Sequence, residues 1–241
     1  ADLYHGEFYD ARMEIEDWST KGFKDKEWKQ AQKTEFRDAR FVAQRQQPIR
    51  ITREIKPVAL TEPEPGVYVF DMGQNMVGWC RMKIRAPKGR VITFQHAERK
   101  RTDEKGGLAS AHEYGPLVTT LYCANLRRAW QRNCYVAKGK GEDVYEPRFT
   151  YQGFRYVEVR GLPEKPDVND LVGRVLHSDA PVVGKVETSN KLMNQFMSNA
   201  FWSQIGNMHS IMTDCPQRTE RMGWAGDIQV FSQMSIYNMD M

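Results

Sequence analysis

Between residues 49 and 178 apolar and polar positions alternate in short runs broken by turn residues, the pattern of strands with one buried face. Gly66-Val67-Tyr68-Val69-Phe70-Asp71 is one such run and Val77-Gly78-Trp79-Cys80-Arg81-Met82-Lys83-Ile84 the next. Pro87-Lys88-Gly89 then makes a turn into Val91-Ile92-Thr93-Phe94, which completes a β-meander. Phe154 to Arg160 and Gly173 to Leu176 extend the series, and no helical period separates these runs, so an antiparallel sandwich is expected rather than βαβ units. Around residues 1 to 48 the alternation is confined to the neighbourhood of Phe8, and Trp18, Phe23 and Trp28 are spaced among charges, which predicts short strands and turns anchored by tryptophan.

After Pro181 the period lengthens. Asn190 can cap a helix on which Leu192, Met193, Phe196, Met197, Ala200, Phe201 and Ile205 form one broad apolar face, and a stripe of this kind reads as core rather than as a cofactor box. A second helix is expected to begin near Asp227, whose carboxylate suits a helix N-terminus, and to bury Ile228, Phe231 and Met234 or Met239.

Composition narrows the function classes. The chain has 241 residues, 40% hydrophobic and 27% charged, which is enough apolar material for a large core and one or two domains by length. Its 35 basic and 31 acidic side chains are interspersed, so no basic face marks a nucleic-acid partner. No run of about 18 apolar residues is present to cross a membrane, and the N-terminus lacks a leader pattern. The sequence leaves the compartment open between the cytoplasm and the periplasm or exterior, and a homo-oligomer is compatible with it. Cys80, Cys123, Cys134 and Cys215 have no CxxC spacing and read as free, mostly buried thiols, with a Cys123 to Cys134 bridge as the alternative. His96, Glu98, Asp103 and Glu104 near Gly106-Gly107 fit neither a zinc site nor an EF-hand loop, so no metal and no other cofactor is expected. Gln74 and Asn75 could face a sugar, but side chains of this type more often hydrogen-bond the backbone of a turn.

Chemistry concentrates between the two predicted helices. Residues 213 to 227 carry Asp214, Glu220, Asp227, Arg218, Arg221 and Trp224, and Pro216, Gly223 and Gly226 rule out one continuous helix through them. A loop that long in a compact domain tends to be functional. A solvated charged loop is the bland reading, but it has no need of Trp224 and Met222 beside Glu220. A sugar site needs both a flat apolar face and polar groups able to make paired hydrogen bonds.

Asp214-Cys215-Pro216-Gln217-Arg218, then Glu220-Arg221, Gly223-Trp224 and Gly226-Asp227 with Gln229, resembles the acid motif of the bacterial α-L-rhamnosidases, an inverting glycoside hydrolase family whose catalytic domain is a six-hairpin α/α barrel. The resemblance implies that Glu220 is the general acid and that Asp214, Trp224 and Asp227 line the rhamnose pocket. Thr219 departs from the pattern, where the family more often has Asp. Gly6-Glu7 and Tyr9-Asp10-Ala11-Arg12 resemble the close of the family's N-terminal β-sandwich. Asp71-Met72-Gly73-Gln74-Asn75 with Gly78-Trp79, and Glu146-Pro147-Arg148-Phe149-Thr150-Tyr151 with Gly153 to Tyr156, are similar to its concanavalin-like sandwich. Only Tyr114 to Lys140 looks peculiar to this chain. The implied organisation is a multidomain β + α protein: residues 1–48 end an N-terminal β-sandwich, 49–180 form a concanavalin-like antiparallel β-sandwich, and 181–241 make the first hairpin of a six-hairpin α/α barrel. The chain then reads as an internal piece of a longer enzyme acting on rhamnose-containing glycosides or polysaccharides.

An inverting glycosidase needs a protonated carboxylic acid for the leaving oxygen and a carboxylate that activates water on the opposite face, about 6.5 to 9.5 Å away. By resemblance the base is a Glu beyond Met241. Convergence of Asp214 and Asp227 on Glu220, with Trp224 as an apolar wall, would keep Glu220 protonated, so Arg218 and Arg221 are expected to point at the aspartates or outward. Two other classes compete. A non-catalytic carbohydrate-binding module accounts for the sandwiches but not for the carboxylate loop, and a metal-dependent phosphoesterase would use Asp214, Glu220 and Asp227 as ligands but lacks a partnering His or a phosphate-binding Gly-rich loop.

Overall fold

A computed structural model describes residues 1–35, 40–101 and 119–241, together with the backbone of the strand pair Ala109–His112 and Gly115–Leu117. Asp103, Glu104 and Gly106-Gly107, weighed above as metal ligands and a turn, lie outside the described residues, as does Tyr114.

The architecture is a curled nine-stranded sheet followed by two helices. The strands are β1 (Phe8–Asp10), β2 (Ile49–Ile55), β3 (Ala59–Glu64), β4 (Val67–Arg85), β5 (Val91–Ala97), β6 (Arg132–Val136), β7 (Glu142–Tyr145), β8 (Gln152–Arg160) and β9 (Leu171–Ser178). Their order is β1-β6-β5-β8-β4-β9-β2, with β3 and β7 also paired to β4. All these pairs are antiparallel except β1 with β6. Alternation therefore gave the strand type correctly, and the distinctive stretch before Lys140 contains a full member of the sheet in β6.

Two sequence expectations are corrected. The runs at residues 66–71 and 77–84 are not successive strands of a meander but one 19-residue strand, because Gly73 (φ 71°) lets the chain bulge and continue in the same direction. The bulge is visible in the register, where β8 passes from Phe154 opposite Met76 to Tyr156 opposite Asp71. Gln74 and Asn75 sit in that bulge, so they are strand residues; Gln74 donates to the Asn75 carbonyl at 2.8 Å and Asn75 to Glu98 at 3.0 Å. The N-terminal tryptophans are not anchors in the core either. Trp18 and Trp28 are exposed and pack on each other, with Phe23 against Trp28, and among the described residues of this segment β1 is the part that joins the sheet.

Curling follows from β4 changing partners along its length. Its first half lies between β3 and β8, its second between β9 and β7, and the exchange occurs at Gly78. There φ is 151° and a Cβ would stand 1.8 Å from the Arg174 carbonyl oxygen, so only glycine permits the approach. Phe70, Met72, Met76, Met82, Ile84, Ile92, Phe94 and Phe154 fill the inside of the curl. The four thiols are free, with Cys80 and Cys123 buried.

The helices are α1 (Lys191–Gly206) and α2 (Ala225–Asn238). Asn190 caps α1 as expected, accepting from Leu192 and Met193. The C-terminal turn of α1 packs on the sheet through Ile205, whereas Leu192, Met193 and Phe196 on its earlier turns are exposed. Ile228, Phe231 and Met234 of α2 are half-buried, and Met239 just after it is fully buried. Asn238 Nδ2 donates to Gln204 Oε1 at 2.9 Å and Gln204 Nε2 to the Ser235 carbonyl at 3.1 Å, so the two helices are joined at their C-terminal ends.

Candidate functional site

From α1 the chain makes a small hairpin, Met208–His209 with Ile211–Met212, and then runs without regular structure from Thr213 to Trp224. The loop is fixed at both ends. Thr213 N–H donates to the Asn207 carbonyl at 2.8 Å. Arg221 turns inward, is only 4% exposed, and donates to the carbonyls of Leu3, Tyr151 (2.7 Å) and Arg218 (3.3 Å) and to Gln131 Oε1 (3.3 Å). Its guanidinium lies over the rings of Tyr4 and Tyr151, and its backbone is held at φ 42°. Helix α2 starts at Ala225, two residues before the position read from Asp227, because Trp224 takes the capping position without a side-chain acceptor; Asp227 sits in the first turn, where a carboxylate is favoured.

Glu220 stands half-buried in the middle of this loop. Arg127 Nη1 donates to its Oε1 at 2.6 Å and Arg218 Nε to its Oε2 at 2.7 Å. Asp214, Cys215 and Glu220 bring their ligand-type atoms within 4.8 Å of one another. Such a set could share a metal ion, but both carboxylate oxygens of Glu220 already have a guanidinium partner. Hydrogen bonds, first with the Cys215 thiol, then with Arg218, with Asp214 and with Arg127, hold Glu220 down at about 2. Burial and the neighbouring Glu220 push the Cys215 thiol up to about 12.

This overturns the electrostatic expectation. Asp214 does approach Glu220, but Arg218 grips Glu220 itself rather than an aspartate, and a second guanidinium arrives from residue 127. Trp224 supplies no apolar wall, being 58% exposed. Glu220 is thus a carboxylate in this arrangement, and because its acidity is raised the ion pairs hold at neutral and mildly acidic pH, weakening only as pH falls towards 2. Arg127, Cys215, Gln131 and Tyr151 were not singled out for the site from sequence. Arg127 is 93 residues from Glu220 and carried no local signal.

Asp214 and Asp227 line one cavity of about 220 Å³ between the helices, together with Asn207, Ser203 and Phe231. Among the described residues, Asp214 Oδ1 is buried without a hydrogen-bond partner. A carboxylate oxygen left in that state costs free energy unless something fills its need. Asp214 therefore belongs to both halves of the site, the Glu220 cluster and the cavity shared with Asp227. Trp224 and Glu220 do not line this cavity. The arrangement can present two carboxylates to adjacent hydroxyls and a third carboxyl group, that of Glu220 within 4.8 Å of Asp214, to a reacting oxygen.

In sequence the chain matches three family profiles describing domains of multidomain glycosidases: the α-L-rhamnosidase N-terminal domain over residues 1–53, the bacterial α-L-rhamnosidase concanavalin-like domain over 61–177, and the bacterial α-L-rhamnosidase six-hairpin glycosidase domain over 181–241. The chain belongs to the bacterial α-L-rhamnosidase family. It is 43% identical, over all its 241 residues, to an α-L-rhamnosidase of Streptomyces avermitilis, of which it spans 22%. Its fold superposes with a TM-score of 0.90 on an α-L-rhamnosidase from Dictyoglumus thermophilum, at 42% identity, covering 100% of this chain and 26% of that one. The S. avermitilis α-L-rhamnosidase complexed with L-rhamnose superposes at 0.88 with 43% identity, over 99% of this chain and 22% of that one. The chain thus spans about a quarter of the length of the relatives it matches.

Proposed function

We propose that this chain supplies the acid side of an α-L-rhamnosidase that releases terminal α-L-rhamnose from glycosides with inversion at the anomeric carbon. Glu220 gives its proton to the leaving oxygen, Asp214 and Asp227 hold adjacent hydroxyls of the sugar, Trp224 offers its exposed indole to the C6 methyl face, and the base comes from outside residues 1–241. In the same reading the curled sheet is the concanavalin-like sandwich of residues 49–180, residues 1–48 close an N-terminal sandwich, and α1 and α2 open a six-hairpin α/α barrel whose next hairpins pack on the exposed faces of Leu192 and Phe196. The observation that carries the reading is the unpartnered, buried Asp214 Oδ1, which sits next to Glu220 and in the same cavity wall as Asp227. A sugar hydroxyl satisfies it, and the acid is then beside the bond to be cleaved.

Glu220 must be protonated to act, so the closed ion pair with Arg127 and Arg218 is the resting arrangement and at least one guanidinium leaves it when substrate is bound. The test is direct. The full-length protein, given an aryl α-L-rhamnoside and followed by proton NMR from the first turnover, should form β-L-rhamnose before mutarotation; α-L-rhamnose as the first product would refute inversion, and no rhamnose at all would refute the function.

Trp224 gives a separate check on the binding role. Because the indole is exposed, Trp224→Ala should leave the melting temperature within about 1 °C while costing on the order of 1–3 kcal/mol in kcat/KM, mostly through KM. A large fall in melting temperature with unchanged kcat/KM would make it a packing residue.

A further inference from the structure

The guanidinium of Arg127 is placed where a leaving group has to be. A general acid stands about 2.6–3.2 Å from the atom it protonates, so a group bonded to Glu220 Oε1 at 2.6 Å is within about 6 Å of the departing oxygen whichever way the substrate enters. The Arg127 side chain is 53% exposed, and an exposed ion pair contributes little to the fold, roughly 0–1 kcal/mol. Arg218 already neutralises Glu220 through Oε2. Stability therefore does not account for a second guanidinium.

The backbone points the same way. Arg127 has φ 55° and ψ −111°, a conformation that ordinarily costs a non-glycine residue about 1–3 kcal/mol and persists only when its surroundings enforce it. They do so here. Leu126 and Ala129 on either side of the arginine pair are fully buried, Leu126 N–H bonds the Cys123 carbonyl and Ala129 N–H the Leu126 carbonyl, each at 3.0 Å. A strained base flanked by buried residues thus presents an exposed cationic tip beside Glu220.

We infer that Arg127 is a specificity residue on the leaving-group side, taking a carboxylate carried by the sugar or aglycone to which rhamnose is attached. The guanidinium already seats a carboxylate in this structure, that of Glu220, and its planar fork suits the same group on a substrate. Exchange of one carboxylate for the other keeps Arg127 paired throughout. It also frees Glu220 Oε1 from one of its two guanidinium partners, leaving Arg218, Cys215 and Asp214 around it, so that recognition of an acidic neighbour and release of the acid for protonation are one movement. A neutral leaving group must displace the same ion pair without offering Arg127 a replacement.

This inference rests on the rhamnosidase reading, and one matched pair of substrates separates the two. The full-length protein is assayed on 3-carboxyphenyl and 3-carbamoylphenyl α-L-rhamnoside, which are close in size and differ in charge. The acid should be preferred in kcat/KM by at least about tenfold, mainly through KM, with the preference shrinking at raised salt. In Arg127→Gln the ratio should fall to near one, and in Arg127→Lys it should recover in part, with melting temperatures close to that of the unaltered protein. A ratio near one in the unaltered protein, or a preference that survives in Arg127→Gln, overturns the assignment of Arg127 while leaving rhamnoside hydrolysis intact. Turnover of neither compound overturns the rhamnosidase reading and this inference with it.

Discussion

Glu220→Gln in the full-length protein is expected to lower kcat on an alkyl rhamnoside by roughly two to four orders of magnitude, the usual share of general acid catalysis, with KM nearly unchanged. Glutamine keeps the shape of the side chain but has one acceptor oxygen, so it can keep only one of the two guanidinium partners, Arg127 or Arg218; a thermal melt of the variant checks that the loop holds its form, and the loss then reports the missing proton. The contrast with an activated aryl rhamnoside sharpens the test. A nitrophenolate leaves without protonation, so the same variant should lose far less on that substrate. Equal losses on both would mean that Glu220 acts through position or charge and not as the acid. Near-normal turnover on the alkyl substrate would remove it from the mechanism.

What could be read from the sequence was local. Strand alternation, the Asn190 cap and the change of period after Pro181 each depend on residues a few positions apart, and the structure reproduces them. The acid loop was legible as a loop for the same reason, since Pro216, Gly223 and Gly226 forbid a helix whatever surrounds them. The limits appear where the deciding contact is distant. Gly73 reads equally well as a turn or as a bulge, and only the opposing strand β8 decides for the bulge. The charge state of Glu220 differs from the expectation because Cys215 and Arg218 of the same loop bond its carboxylate, and Arg127, from the stretch that looked least like the family, adds a second guanidinium. Residues near in sequence supplied the like charges that were expected to keep it protonated, but the field at a carboxylate is set by whatever touches it. Trp18 and Trp28 show the same limit in another form, as large aromatics whose burial depends on a surface that sequence spacing does not reveal.

Arg221→Met should be the most damaging single change in the loop after loss of Glu220, and for a different reason. Arg221 is buried without an ion-pair partner among the described residues; burial pulls it down to about 10, so it stays charged at neutral pH against carbonyl dipoles and the faces of Tyr4 and Tyr151. Its acceptors lie in three separate regions: Leu3 near the N-terminus, Gln131 and Tyr151 in the sheet region, and Arg218 in the acid loop. Methionine fills part of the volume but takes the guanidinium donor from the three carbonyl oxygens, while Gln131 Oε1 keeps the Gly153 N–H at 2.8 Å, at a cost on the order of 3 kcal/mol. For an unfolding unit of about 150–250 residues that is a fall in melting temperature of roughly 6–12 °C. Glu220 is the adjacent residue, and a displacement of about 1 Å at a reacting group can cost about a hundredfold in rate, so kcat should fall with stability. Arg221→Lys keeps the charge but reaches only part of the acceptor set, and should fall between the two. The measurement is a thermal melt paired with kcat on one alkyl rhamnoside. If Arg221→Met melts with the unaltered protein and turns over at full rate, the loop is held by other contacts and the inward arginine is not what positions the acid.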